Sequence, residues 1–268
     1  MNTDSTKAIQ DIPNLIQFVD KLVKLTDAIT QQAEFDEMDH LGLMSLCFVC
    51  KQNEHLRSIR ILVESGQYRD AGLIARSMIE GLCILIWAAR KPQERPLQWK
   101  SYVWVEDYRL MQKKEKAGEK IDPATKSRIT EQLSKYGAYF LKNKNNKIND
   151  LHSSDDPYRK KWMVQNVRDV CKEVEGDKLY EIIYRETSQW IHWTIKGISS
   201  AIRRDDSIFR YTNTSEDIGA TALASGFQSL FESAKLCNDH MKLGFDNKLN
   251  NIREEYAEFH SKNSESMS

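Results

Sequence analysis

The 268-residue chain has little of what interrupts helices, with only 5 prolines and 11 glycines. That scarcity excludes collagen-like and low-complexity classes. It also lacks an excess of either charge, since 39 Lys+Arg balance 39 Asp+Glu. A globally basic nucleic-acid binder and an acidic disordered chain are therefore both unexpected. No run of alternating apolar and polar residues between hairpin turns is read, and no internal repeat. The opening residues MNTDSTKAIQDIPNL lack the basic-then-apolar order of a secretory signal, so a cytoplasmic location is expected. Cysteines are few and odd in number, at positions 47, 50, 83, 171 and 237. Cys47-Phe48-Val49-Cys50 has no second pair to complete a zinc site, and no βαβ pattern surrounds it as in a redox motif. All five are expected as ordinary buried cysteines of apolar helices. No His-Glu-x-x-His motif occurs, so no metal and no cofactor is expected; a metal-dependent hydrolase using Glu80, Glu181 and His192 is the weakest reading.

What is present is apolar spacing of helical period. Pro13 after Asp11 suits the first turn of a helix of roughly 20 residues carrying Leu15, Ile16, Val19, Leu22, Val23 and Ile29. A second helix is predicted from about Asp39 to Ser65, with Leu43, Leu46, Cys47, Cys50, His55, Ile59, Leu62 and Val63 on its apolar face. Gly66 stands where a left-handed residue ends a helix. A third, Tyr68 to Arg90, contains the longest apolar stretch, Ala71 to Ala89, which is long enough to cross a bilayer. Arg76 and Glu80 near its middle argue instead for the core helix of a soluble bundle, with no membrane. Arg95-Pro96 opens a fourth helix and Asp122-Pro123 a fifth, the latter as N-cap and first helical residue. After the polar stretch NKNNKIND and HSSDDP, helices are predicted over Trp162 to Val174, ended by Gly176, and over Lys178 to Ser200. The last runs from about Glu216 to Leu243, with Thr214 and Asp217 resembling a capping box. The fold class read from this pattern is all-α: a single multi-helix bundle of about eight to ten helices. It forms one domain over residues 1–260, with a frayed tail over 261–268. Charge is uneven along it. Residues 1–40 hold three Lys+Arg against eight Asp+Glu, net −5, and residues 111–160 hold twelve against seven, net +5. Such asymmetry can steer a polyanion to the basic segment, or one subunit to another.

Two constellations carry possible chemistry. Arg76-Ser77-Met78-Ile79-Glu80 sets opposite charges one turn apart inside the most apolar helix. Ionised groups there need partners or a polar pocket. Five guanidinium donors against about four carboxylate acceptor sites leave room for a third group or an anion. The pair reads either as a structural ion pair or as pocket lining. The second constellation is Tyr184-Arg185-Glu186-Thr187-Ser188-Gln189-Trp190-Ile191-His192. At 100° per residue, Ser188 lies about 40° and His192 about 80° from Tyr184, while Arg185 and His192 differ by about 20°. Tyr, Arg, Ser and His thus share one side of a helix, with Glu181 one turn earlier. Such a face can bind phosphate and supply a histidine base near neutral pH. It can equally be a buried polar ladder linking helices.

The segment GQYRDAGLIARSMIEGLCILIW, followed about 100 residues later by YRETSQWIH, resembles the bacterial family known as domain of unknown function 5677. The matches are Tyr68, Ala71, Arg76 and Glu80, then Tyr184, Ser188 and His192; the first motif departs from the family pattern where Leu73 and Ile74 stand before Arg76. The resemblance covers roughly residues 40–240 and implies an all-helical fold without a settled activity. Arg185 and His192, with six residues between them, are also similar to the R-x(4–6)-H pattern of HEPN (higher eukaryote and prokaryote nucleotide-binding) ribonucleases. That resemblance implies a metal-independent cut in which the histidine acts on the ribose 2′-hydroxyl and the arginine holds the scissile phosphate, in a homodimer. Glu186 is a less favourable neighbour for phosphate than the polar residue usual after that arginine. The expected function is a HEPN-like ribonuclease of toxin or phage-defence type, acting on single-stranded RNA and controlled by a regulatory protein partner. Arg185 and His192 would be catalytic, with Arg76, Glu80, Tyr184 and Ser188 binding and positioning. The alternative is a non-catalytic helical module that binds a small anion, nucleotide or protein partner through the same Arg/Glu/Ser/His network.

Overall fold

The structure is a computed structural model, and it describes residues 3–142, 156–176, 180–181, 202–205, 208–211 and 216–265. The fold class is all-α, a multi-helix bundle. In chain order the helices are α1 (Thr3–Gln32), α2 (His40–Glu64), α3 (Tyr68–Ala89), α4 (Arg95–Ser101), α5 (Val103–Lys116) and α6 (Pro123–Tyr136). A 3₁₀ turn (Gly137–Phe140) and α7 (Val167–Glu173) follow, then the strands β1 (Ile202–Asp205) and β2 (Ile208–Tyr211), α8 (Glu216–Met241) and α9 (Asp246–Glu265). Packing divides the stretch read from sequence as one domain into two compact units. The first is Met1–Trp87 with Val167–Ser268, and the second is Ala88–Asn166.

Local chemistry sets most boundaries. Asp39 caps α2 by accepting the Gly42 N–H at 2.8 Å. At the other end Gly66, at φ 72°, closes a Schellman motif in which Gly66 N–H donates to Val63 O and Gln67 N–H to Leu62 O. Asp122 caps α6 through the Thr125 N–H, with Pro123 in the first turn as read from sequence. Three expectations are corrected. Pro13 lies inside α1, which begins at Thr3 and runs 30 residues, so the helix tolerates the loss of one backbone bond there. α7 starts only at Val167, and its left-handed terminal residue is Glu175 (φ 60°) rather than Gly176. Gly176 serves a close approach instead, since a Cβ there would come within 2.7 Å of Cys83 Sγ. The tail read as frayed from 261 is helical through Glu265. The predicted helix over Lys178 to Ser200 and the Thr214 cap lie outside the described residues, Tyr180 and Glu181 excepted.

In the first unit α1, α2 and α8 pack on one another. Leu22, Ile29, Met44, Leu56, Ile59 and Leu223 are fully buried between them, each contributing about 1.5–3 kcal/mol of apolar burial. The buried stripe of α2 is rotated from the one predicted: it includes Ser45, Gln52 and Asn53 and leaves Cys47 and Cys50 exposed. Gln52 and Asn53 tolerate burial because each amide donates a bond, Gln52 to the Met78 carbonyl at 2.8 Å and Asn53 to Asp27 at 2.7 Å. α8 reaches α2 and α3 where it carries no side chain: a Cβ on Gly219 would meet the Tyr68 ring of α3 at 2.4 Å, and one on Gly226 would meet Leu56 of α2 at 2.9 Å and Met78 of α3 at 3.4 Å. Tyr256 of α9 stacks on Phe227 at 4.2 Å and meets Phe18 edge-on at 5.4 Å, joining α9 to α8 and α1. Among the described residues α3 is the one helix long and apolar enough to cross a membrane, and a little over half of its most apolar stretch is buried inside the structure.

The second unit encloses its own core of Tyr102, Val105, Tyr108, Met111, Ile129, Leu133, Phe140 and Tyr158. The strands pair antiparallel over four residues each. The sequence reading placed no strand there.

Candidate functional site

α3 carries the first motif. Its buried side holds Ala71, Ala75, Met78, Ile79 and Leu82, which leaves Arg76 and Glu80 one turn apart on a half-buried stripe. Arg76 Nε donates to Glu80 Oε1 at 3.1 Å, with side chains 20% and 28% exposed. The pairing expected from the i,i+4 spacing is present. The full burial that the apolar helix suggested is not, because the stripe turns toward solvent between two buried ridges.

Of the second motif, Tyr184, Arg185, Ser188 and His192 lie outside the described residues. Glu181, placed one turn before them in the sequence reading, is exposed and reaches Arg168 of α7 at 3.5 Å. Among the described residues no group of three or more His, Cys, Asp or Glu side chains is placed to hold a metal. Cys47 and Cys50 are exposed rather than buried. Partial burial pushes the Cys47 thiol up; the same cause, with Cys47 and Glu54 adding to it, raises Cys50. Both therefore hold less thiolate at neutral pH than a free cysteine.

Several polar arrangements were not read from the sequence. His240 of α8 shares the Asp39 carboxylate, with Nε2 at 2.8 and 3.0 Å from its two oxygens. Burial acts to raise the Asp39 carboxyl, but the Gly42 N–H and His240 outweigh it and hold the group below its ordinary value. In the second unit Arg109 is a hub. Its Nε donates to Asp156 at 2.8 Å, Nη1 to the Tyr102 hydroxyl at 2.8 Å, and Nη2 to the carbonyls of Tyr158 and Arg159 at 3.2 and 2.8 Å. The Tyr102 hydroxyl donates onward to the Arg159 carbonyl at 2.8 Å. This latch fastens residues 156–159 to α5 and is structural. Beside it Tyr158 is fully buried, and burial together with Tyr108 and Asp156 pushes its hydroxyl to about 12. No local pattern announces such pairs, whose members stand 47 or 201 residues apart.

The model of a family of unknown function, DUF5677, matches residues 43–209, which is more than half of the chain and takes in both motif segments. No curated protein and no solved structure matches the chain.

Proposed function

The chain belongs to the DUF5677 family, and on that footing we propose that it is a HEPN-like, metal-independent ribonuclease of toxin or phage-defence type. In this reading it works in the cytoplasm as a homodimer on single-stranded RNA, under a regulatory protein partner. Arg185 holds the scissile phosphate. His192 takes the proton of the ribose 2′-hydroxyl, whose oxygen attacks phosphorus as the bond to the 5′-oxygen breaks; the 5′-oxygen takes a proton from water, leaving a 2′,3′-cyclic phosphate and a 5′-hydroxyl. Tyr184 and Ser188 position these groups, and Arg76 with Glu80 orients the site from α3. The observation that supports the reading is the half-buried Arg76–Glu80 pair in the most apolar helix of a region whose family match also contains the second motif. Purified protein is expected to cleave single-stranded RNA in EDTA, leaving cyclic phosphate ends, and His192→Ala to abolish cleavage. Intact RNA after prolonged incubation with the wild-type protein overturns the proposal.

A second reading, a non-catalytic module binding a small anion, nucleotide or protein partner, draws on the same pair, because Arg76 and Glu80 meet within one helix. With both side chains partly exposed, Arg76→Ala is expected to lower stability by about 0.5–1 kcal/mol, less than the ~3–5 kcal/mol of a fully buried pair. A folded Arg76→Ala protein that loses cleavage favours the enzyme. One that melts about one to four degrees lower, together with no cleavage by wild type, favours the module.

A further inference from the structure

Free cysteine is among the residues most often buried, and Cys83, Cys171 and Cys237 obey. Cys47 and Cys50 do not: both are exposed, and they are the two that stand one helical turn apart. No proline or glycine lies between Leu43 and Glu64 to bend α2, so regular helix geometry applies to the pair. Their directions differ by about 60°, and side chains three apart on a helix have Cβ atoms about 5–6 Å from each other. The thiols are near enough for Cys47 to act on Cys50 electrostatically. Lys51, Glu54 and Ile61 continue the exposed stripe. The pair therefore lies on an open helix face, where its sulfurs contribute little to packing.

Two thiols at this spacing form a chelate whose second arm costs almost no ordering, because one helix holds both. Thiolate sulfur is soft and selects Cu(I), zinc or iron–sulfur clusters among biological metals. Structural zinc takes four ligands, and an iron–sulfur cluster takes four cysteines. Among the described residues no third His, Cys, Asp or Glu side chain is placed to join these two. His55, farther along α2, is turned about 140° from Cys50, and the Glu54 carboxylate is a hard ligand that suits other metals. Cu(I), a closed-shell monovalent ion, is satisfied by two thiolates. Partial burial keeps both thiols protonated at neutral pH, so binding is an exchange. Two S–H protons pass to solvent, two S–Cu bonds form, and no electron is transferred. The product carries one negative charge, and Lys51, next to Cys50 in the chain, supplies a positive one on the same exposed stripe.

We propose that Cys47 and Cys50 form a surface chelate for one Cu(I) ion, held by two thiolates of a single chain. The site stands on α2 alone and is independent of the ribonuclease reading. The test titrates reduced, full-length protein with the Cu(I)–ferrozine complex under anaerobic conditions and follows the loss of its colour. One equivalent of copper per chain is expected to move to the protein. Cys47→Ser and Cys50→Ser are each expected to weaken uptake at least roughly 100-fold, the effect of removing one arm of a two-point attachment. Unchanged uptake by protein carrying both substitutions overturns the proposal, as does wild-type protein that takes no copper from the indicator. On unaltered protein, bound copper is expected to shield both sulfurs of the 47–50 segment from iodoacetamide. Full alkylation there with copper still bound places the ion elsewhere and overturns the site whether or not the variants fold. X-ray absorption at the copper edge is expected to show two sulfur neighbours, and three or more would overturn a site made by one chain's pair. Zinc bound in preference, at one ion per two chains with four sulfur neighbours, would overturn copper and assign the pair to a joint between copies.

Discussion

In the first unit α8 brings Gly219, Ala222, Gly226, Ser229 and Ala234 to its buried side, and α2 and α3 close on it where side chains are missing. Its serines satisfy themselves within the helix, Ser229 bonding to the Ser225 carbonyl and Ser233 to that of Ser229, both at 2.8 Å. In the second unit the interior is filled by three tyrosines and a phenylalanine, and its polar atoms are tied by Arg109 across the sequence. One unit therefore depends on volume withheld, so added atoms should damage it most. The other depends on volume and hydrogen bonds supplied, so removed atoms should.

The largest expected effect is in the second unit. Phe140 is fully buried, and Phe140→Ala is expected to cost about 3–5 kcal/mol. Hydrogen exchange should place the loss within residues 88–166, and an equal loss of protection in α1, α2 and α8 would break the division into two units. Next is Gly219→Ala, whose new Cβ falls 2.4 Å from the Tyr68 ring, a clash worth about 1–3 kcal/mol. Pairing it with Tyr68→Leu should recover much of that loss, whereas simple addition of the two penalties in denaturant melts would show that the close approach is not the cause. Arg109→Met removes the hub while keeping much of its stem. It is expected to cost about 1–3 kcal/mol, because it strips partners from Asp156 and from the Tyr158 and Arg159 carbonyls. An unchanged melt would mean water replaces the guanidinium freely.

The smallest effect sharpens the comparison by pH. Asp39→Asn keeps a good N-cap but removes the anion facing His240, for about 0.5–1 kcal/mol. The folded carboxyl lies below its ordinary 3.8, so its contribution is present above that pH and lost as pH falls through it and below. The gap between wild type and variant should therefore close in acid; a gap independent of pH would remove the charge from the account.

Features whose cause is local were legible in the sequence: Asp122-Pro123, Gly66 and the α3 limits all appear as read. Pro13 misled because proline favours the first turn without requiring it. The α2 face was misplaced for a different reason. Leu43, Leu46, Cys47 and Cys50 look more burial-prone than Ser45, Gln52 and Asn53, until the Met78 carbonyl and Asp27 become available as partners. The hairpin was missed because Ile-Arg-Arg-Asp and Ile-Phe-Arg-Tyr lack clean alternation and no glycine marks their turn. At the candidate site the sequence supplied the Arg76–Glu80 pairing by spacing, but not its partial exposure, which depends on which side of α3 the rest of the fold covers.

The cysteines have a practical consequence. None is bridged, so no covalent loop restricts the denatured chain and a reducing environment changes nothing in its topology. The folded chain offers a maleimide the Cys47 and Cys50 sulfurs while Cys83, Cys171 and Cys237 stay inside. Counting alkylated sulfurs by intact mass, two when native and five when denatured, makes the molecule its own gauge of opening.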